Sequence, residues 1–319
     1  MTDSSPPQAE PSATTARSNA ASRGRRKGWV WLGAGLAASV VAVAAVGIDL
    51  ALTWRAHAPV IAALRTSPPE RTGYMERRAR EGRSPGARTW VTLDSLPPTV
   101  VCAVVASENV NFFRTGPLDW ANQRQLLGRM LHGDFSRGGS GITQQLARNL
   151  FLAPDRTPRR KLREYVLAFA ISRNLSKERQ LELYLNLIEW GEGAWGVAAG
   201  SERLFGRPPD SLTPTQAILL ANVLPAPSRG LAYPLSPPRR GKLERIAGVL
   251  WRQGVFDELT WSATMARLRL LGQAIDAGET PLEAASAAAR VMGPEPAQPL
   301  AGDAEPWPTR CDPKRRGVG

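Results

Sequence analysis

Cysteine and histidine are scarce in this chain of 319 residues, with two of each. The two histidines, His57 and His132, are too few for a histidine-based metal centre and give poor support to a Ser-His-Asp site. The two cysteines, Cys102 and Cys311, form neither a CxxC metal motif nor a disulfide framework. Cys102 lies in an apolar run and Cys311 in a proline-rich tail. We therefore expect a buried core thiol, a separate tail thiol and no metal site.

Acidic residues are also few, 28 against 41 lysines and arginines, which gives a net charge of +13. Such an excess indicates an anionic partner: nucleic acid, an acidic membrane surface or a phosphorylated substrate. Hydrophobic residues make up 43% and charged residues 22%, which is typical of a globular protein rather than a disordered one. The charge alone does not choose among these partners.

Charged residues are absent from Gly28 to Ile48, a run long enough to span about 30 Å as a helix. The residues just before this run are strongly basic, and no acidic residue lies between Glu10 and the run. By the positive-inside rule, a single transmembrane helix would keep the N-terminus in the cytoplasm and place everything after Asp49 outside. Two alternatives remain open: a signal peptide cleaved after the small-x-small site 42–44, and a buried helix of a soluble protein. Because the basic residues border this run, nucleic-acid binding is disfavoured.

Composition divides the chain into five predicted segments. They are a disordered basic cytoplasmic tail (1–27), the transmembrane helix (28–48), a juxtamembrane linker (49–88), a compact domain (89–256) and an Ala- and Pro-rich extension (257–319).

Within the compact domain the apolar residues recur with the period of a helix. The three clearest groups are Leu162, Tyr165, Val166, Phe169; Leu181, Tyr184, Leu185, Ile188; and Leu243, Ile246, Ala247, Leu250. Helix starts are predicted at Thr157-Pro158, at Thr213-Pro214 with Gln216, and at Thr280-Pro281 with Glu283 in the extension. Gly191 and Gly254 are predicted helix ends, and a small β element is predicted near residues 88–94. The fold class should be mostly α.

Two carboxylates stand out as candidate catalytic groups. Glu108 ends an apolar stretch beside aromatic residues, and a partly desolvated carboxylate suits a general base or acid. The other reading is a solvated acid at a helix end. Glu164 follows Arg160 by four residues, so the two share a helix face, and the surrounding cations suit a pyrophosphate. An exposed basic helix near acidic lipid is the alternative.

A glycine-rich loop, 138–141, precedes a helix with Ile142, Leu146 and Leu150 on one face. Backbone N–H groups at such a helix start favour an anion. The loop is weak evidence alone, because it lacks the Lys-Ser/Thr of a P-loop.

Five ordered blocks of this sequence together resemble glycosyltransferase family 51. That family comprises the monofunctional peptidoglycan transglycosylases and the polymerase domain of class A penicillin-binding proteins. The blocks are Ala103–Phe112, Gly138–Leu152, Arg160–Glu164, Ser176–Asn186 continued by Gly191–Phe205, and Leu219–Ser228. No SxxK transpeptidase motif follows residue 255, which indicates the monofunctional type.

The resemblance implies a lysozyme-like, mostly α glycosyltransferase domain behind a single N-terminal transmembrane helix in the cytoplasmic (inner) membrane. It also implies that lipid II is added to a growing lipid-linked glycan, with inversion and release of undecaprenyl pyrophosphate. Glu108 would be the base and Glu164 the second catalytic carboxylate. The implied substrate-binding residues are Asn109, Phe112, Ser140, Gln145, Arg148, Arg160 and Lys161. No cofactor is required, a divalent cation at the pyrophosphate is compatible, and other wall-synthesis proteins are expected partners.

Several positions depart from the family pattern. The family's Asp is Asn109 here, its His is Thr115, the Gly two residues later is Pro117, the Thr of its glycine loop is Gly141, and a Lys is Arg148. Two alternatives to an active polymerase follow. One is a catalytically weak homologue that binds lipid II or scaffolds wall synthesis. The other is a lytic lysozyme-like enzyme, which the basic cluster disfavours.

Overall fold

The structure, a computed structural model, describes residues 13–82, 86, 88–120, 123–125, 128, 132, 139–152, 155, 157–298 and 305–312, with side chains from Ala34 onward. Its helices, in chain order, are α1 (Ala13–Ala63), α2 (Gly73–Arg80), α3 (Pro98–Glu108), α4 (Ile142–Phe151), α5 (Pro158–Asn174), α6 (Lys177–Leu187), α7 (Val197–Phe205), α8 (Pro214–Val223), α9 (Pro237–Gln253), α10 (Glu258–Asp276), α11 (Pro281–Met292) and α12 (Trp307–Arg310). The strands within these ranges are β1 (Glu189–Gly191) and β2 (Ala194–Trp195), which pair antiparallel. The predicted mostly α fold is confirmed.

Residues up to Thr53 form one unit of the chain, and its described part belongs to α1. The apolar stretch of this helix is Ala34–Ala63, which is long enough to cross a membrane by length and composition. It shares residues 34–48 with the predicted span and continues further. The side chains of residues 34–48 are exposed, which does not fit the alternative of a buried helix in a soluble protein.

Residues from Trp54 onward form a second unit with a continuous apolar core. In this unit α3 packs against α8 and α9, while α4 packs against α5 and α6. Burial of these apolar faces is the main stabilising contribution. The packing matters for function because α3 ends at Glu108, while α4 and α5 carry five further predicted site residues: Gln145, Arg148, Arg160, Lys161 and Glu164.

The predicted helix starts are confirmed. The hydroxyls of Thr157, Thr213 and Thr280 each accept a hydrogen bond from the backbone N–H three residues later, which satisfies donors that the first turn leaves unpaired. Gly254 is confirmed as the end of α9, where its φ of +77° lies in the left-handed region that favours glycine.

The predicted apolar face of α5 is wrong, although the helix itself is confirmed. Leu162 and Phe169 of that face are exposed. The buried side chains of α5 are instead Glu164, Leu167, Ala168, Ala170 and Ile171. The sequence carries two neighbouring apolar stripes, and the period does not say which one is buried. The buried stripe is the one that contains Glu164, whose carboxylate pairs with Arg160 and Lys161.

The small β element is also not where the sequence predicts it. The residues near 88–94 contain a 3-10 turn, Leu93–Ser95, whereas the strands are β1 and β2. Gly191 does not end a helix; α6 ends at Leu187 and Gly191 lies in β1. The hairpin turn is Glu192-Gly193, and Gly193 has a φ of +75° that suits such a turn.

The prediction of two separate thiols is wrong, because Cys102 and Cys311 form a disulfide across a sequence separation of 209 residues. Both residues are buried. Cys102 lies in α3, and Cys311 follows α12. Pairing between such distant cysteines is set by tertiary structure, which composition and spacing do not reveal.

The described part of the C-terminal extension contains α10, α11 and α12, and it packs on the domain. α10 contacts α8, α9 and α11. The helix predicted from the Thr280-Pro281-Glu283 pattern is therefore confirmed as α11. The predicted segment boundaries at residues 88 and 256 stay predictions.

Candidate active site

Glu108 is the last residue of α3, and three neighbours surround its carboxylate. Gln145 donates from Nε2 to its Oε2 at 2.9 Å, and the Ser107 hydroxyl is 3.1 Å from its Oε1. The Lys242 ammonium on α9 is 3.8 Å from the same Oε1. The side chain is about one-tenth exposed, which leaves a narrow opening at the carboxylate.

The amide of Gln145, on α4, is held at every polar atom. Besides Glu108, its Nε2 donates to the Ser140 backbone oxygen at 3.0 Å. Its Oε1 accepts the hydroxyl of Tyr184, on α6, at 2.9 Å. Burial raises the pKa of the Tyr184 hydroxyl well above its usual value, and Glu108 adds to the shift. Tyr184 therefore stays a donor and fixes the orientation in which Gln145 faces Glu108.

Glu164 on α5 is fully buried between two cations. Arg160 donates from Nη1 to its Oε2 at 2.7 Å, and Lys161 pairs with its Oε1. Burial lowers the pKa of the Lys161 ammonium, while the Glu164 carboxylate opposes that shift. Because two cations meet one carboxylate, this end of the site keeps net positive charge.

Ser140 joins the two carboxylates into one network. Lys161 donates from Nζ to the Ser140 hydroxyl at 2.9 Å, and Gln145 donates to the Ser140 backbone oxygen. An uninterrupted chain of contacts thus runs from Glu108 through Gln145, Ser140 and Lys161 to Glu164. The structure brings these five predicted residues together at one place.

Three other predicted residues lie around this chain. Arg148, on the same helix as Gln145, is partly buried and influences both Lys161 and Tyr184 electrostatically. Asn109 is mostly buried after α3, with its Nδ2 beside Gly141. Phe112 is 0% exposed, with the Lys177 ammonium 4.4 Å from its ring centroid. The ring belongs to the buried core, and its predicted contact with substrate stays a prediction.

The glycine loop is described from Gly139 onward, and Gly138 lies outside the described residues. Gln123 donates to the Gly139 backbone oxygen at 2.8 Å and accepts the Tyr165 hydroxyl at 3.1 Å. Gln123 therefore links the glycine loop to Tyr165 on α5.

Sequence reasoning missed three residues of this site: Ser107, Tyr184 and Lys242. Tyr184 belongs to an apolar stripe, and its ring lies in the core. Lys242 is far from Glu108 in sequence, and the packing of α9 on α3 brings it there. Its ammonium donates to the Ser107 hydroxyl at 2.9 Å. No local pattern signals either contact.

Comparison with known proteins decides the family. The transglycosylase family model matches residues 76–246, which include every predicted site residue. The chain belongs to the transglycosylase family. As a member of it, this protein is a glycosyltransferase, which confirms the prediction from the five motif blocks. Helices α10 to α12 lie beyond the matched region.

Three relatives show how far the similarity extends. The chain is 44% identical over 182 residues to the biosynthetic peptidoglycan transglycosylase of Nitrobacter winogradskyi, covering 56% of this chain and 79% of that protein. Identity to the protein of the same name from Rhodopseudomonas palustris is 46% over 142 residues, covering 44% and 63%. Identity to that from Rhizobium etli is 43% over 166 residues, covering 52% and 70%.

Proposed function

We propose that this transglycosylase polymerises lipid II into the glycan strands of peptidoglycan. The names of its relatives support that substrate class. The observation that carries the proposal is the chain of contacts from Glu108 to Glu164, which has a carboxylate with a small opening at one end and an excess of cations at the other. This asymmetry suits a reaction in which a hydroxyl loses a proton and a pyrophosphate departs.

Glu108 serves the attacking hydroxyl in this proposal. Its carboxylate accepts the proton of the 4-hydroxyl of the lipid II GlcNAc as that oxygen bonds to the anomeric carbon of the growing chain. Gln145 and Ser107 hold the carboxylate, and Lys242 balances its charge. Attack opposite the pyrophosphate inverts the anomeric configuration and produces a β-1,4 bond.

The cluster around Glu164 serves the leaving group. Arg160, Lys161 and Arg148 supply positive charge for undecaprenyl pyrophosphate, and Arg offers the paired donors that phosphate oxygens accept. Glu164, predicted as the second catalytic carboxylate, orients Arg160 and Lys161 in this proposal. These side chains provide the charge stabilisation without a cofactor, and a divalent cation carried by the pyrophosphate remains compatible.

The enzyme in this proposal is a single-pass protein of the cytoplasmic (inner) membrane with its domain outside the cytoplasm. The apolar stretch of α1 supports the span, and the basic N-terminal segment supports the orientation. The disulfide gives independent support, because such bonds persist in oxidising compartments. Partnership with other wall-synthesis proteins stays a prediction.

The test uses the purified full-length chain in detergent with labelled lipid II. We expect glycan strands that an enzyme specific for β-1,4 linkages digests. Glu108→Gln should abolish them, whereas Glu202→Gln, at an exposed acid on α7, should not. Lipid II binding without polymer in the wild-type protein would contradict the proposal and favour a non-catalytic homologue.

A further inference from the structure

A short segment near the C-terminus, residues 305–312, is attached to the glycosyltransferase domain by at least four contacts; we call it the strap. Cys311 forms the disulfide with Cys102, and its backbone oxygen accepts a hydrogen bond from Gln253 at 2.9 Å. The Trp307 side chain is buried and donates from Nε1 to Asp94 at 2.9 Å. The fourth of these contacts is the ion pair between Arg114 and Asp312.

Two of these contacts flank the proposed base, Glu108, in the sequence. Cys102 lies six residues before Glu108, and Arg114 lies six residues after it. Their partners, Cys311 and Asp312, are adjacent in sequence. One dipeptide of the strap therefore holds both ends of the segment 102–114, and Glu108 lies at its middle.

The backbone between these two contacts consists of the end of α3 and a tight loop. From Cys102 to Glu108 it is helical and advances about 9 Å along α3. It then continues through a loop in which the Phe112 N–H donates to the Asn109 backbone oxygen and the Arg114 N–H donates to the Asn111 backbone oxygen, both at 2.9 Å. The strap therefore contacts this segment at Cys102, before Glu108, and at Arg114, after the loop.

We propose that the strap is a positioning element for glycosyl transfer, which fixes the segment that presents Glu108. The proposal rests on the function proposed above. The disulfide anchors the N-terminal half of the segment, and the Arg114–Asp312 pair restrains the loop. Both cysteines are buried, so the disulfide is a permanent anchor rather than a reversible switch.

The Arg114–Asp312 ion pair restrains the loop after Glu108 and adds little to the free energy of unfolding. Its side chains are 41% and 27% exposed, and such a pair is worth at most about 1 kcal/mol. The disulfide at the neighbouring residue already places Asp312, so little further freedom is lost when Arg114 binds it. Removal of the pair should thus loosen the loop without unfolding the domain.

The first experiment compares Asp312→Ala with Asp276→Ala, in the full-length protein with its disulfide intact. Asp276 forms a similar exposed pair with Arg240, at 2.5 and 2.9 Å, between α9 and α10. We expect Asp312→Ala to lower kcat for lipid II by about five-fold, the equivalent of about 1 kcal/mol. KM and the thermal midpoint should stay near wild type, and Asp276→Ala should match wild-type kcat. Wild-type kcat in Asp312→Ala would overturn the proposal.

The second experiment adds the exchanged pair Arg114→Asp with Asp312→Arg, which restores opposite charges. We expect recovery of most of the lost kcat; a loss equal to the sum of the single variants would overturn the proposal. Amide hydrogen exchange of residues 106–115 provides a readout that needs no activity, and it should be faster in Asp312→Ala than in wild type. An inactive wild-type protein would refute the proposed function. Amide exchange in Asp312→Ala that is identical to wild type would refute the positioning role of the strap.

Discussion

At the scale of single residues, the Tyr184 hydroxyl holds the Gln145 amide, and Gln145 in turn holds the Glu108 carboxylate. Tyr184→Phe removes the donor at 2.9 Å and leaves Gln145 Oε1 without its partner in the network. We expect kcat for lipid II to fall about 10-fold, since a small misplacement of a catalytic group is costly, with lipid II affinity unchanged. Tyr74→Phe is the matched control; that tyrosine packs against Trp195 away from this network. Equal effects of the two substitutions on kcat would contradict the role of Tyr184.

The burial of Lys177 predicts how the stability of the protein depends on pH. Burial lowers the pKa of its ammonium to about 8, against the opposing charge of Glu178. The unfolded chain, with a pKa near 10.4, binds more protons between about pH 8 and 10. Stability should therefore rise with pH through that window and stay at its lower level below pH 8.

The measurement for Lys177 is the thermal midpoint of the full-length protein in detergent at pH 7 and pH 9.5. Lys177→Met should raise stability at pH 7 by on the order of 1 kcal/mol, after allowance for partial exposure. It should also flatten the increase toward pH 9.5. A variant that is less stable than wild type at both pH values would show that the ammonium's contact with the Phe112 ring outweighs its burial.

At the level of elements, the end of α3 meets the start of α4 at Asn109 and Gly141. Gly141 has a φ of −71°, so its backbone does not require glycine. An added Cβ would lie 2.7 Å from Asn109 Nδ2, so the Asn109 amide would have to shift to admit it. The Asn109 amide therefore occupies room that a side chain at position 141 needs, which couples the two positions in this chain.

A double-mutant cycle tests this link between α3 and α4. Gly141→Ala alone should destabilise the protein, because the mostly buried Asn109 amide must move. Combined with Asn109→Ala, the same change should cost less, with a coupling on the order of 1 kcal/mol in the free energy of unfolding. Strictly additive losses would mean that the amide shifts freely and that the two positions are independent.

At the scale of the whole molecule, the sequence predicts what is local and leaves open what depends on packing. The capped helix starts at Thr157, Thr213 and Thr280 are confirmed, because a cap involves residues three positions apart. The disulfide and the Lys242 contact were not predicted, because each joins residues more than one hundred positions apart. The prediction of which face of α5 is buried is also wrong, because the face that carries Glu164 is buried instead of the apolar stripe next to it.

The candidate site shows the same division. Glu108, Gln145, Ser140, Lys161 and Glu164 were predicted, because the motif blocks carry them. Their connection through a single chain of hydrogen bonds and ion pairs was not, since it needs α3, α4 and α5 in contact. Tyr184 was hidden because a buried tyrosine in an apolar stripe looks the same whether or not its hydroxyl has a functional partner.

The proposed function requires that Glu108 act in the chemical step while the cationic end of the site holds the substrate. The most direct measurement is the dissociation constant of lipid II together with kcat, on wild type and Glu108→Gln. We predict that kcat falls by about 100-fold or more, as expected on loss of a general base, while the dissociation constant stays within about two-fold. Retained turnover, or turnover and binding lost together, would contradict this account.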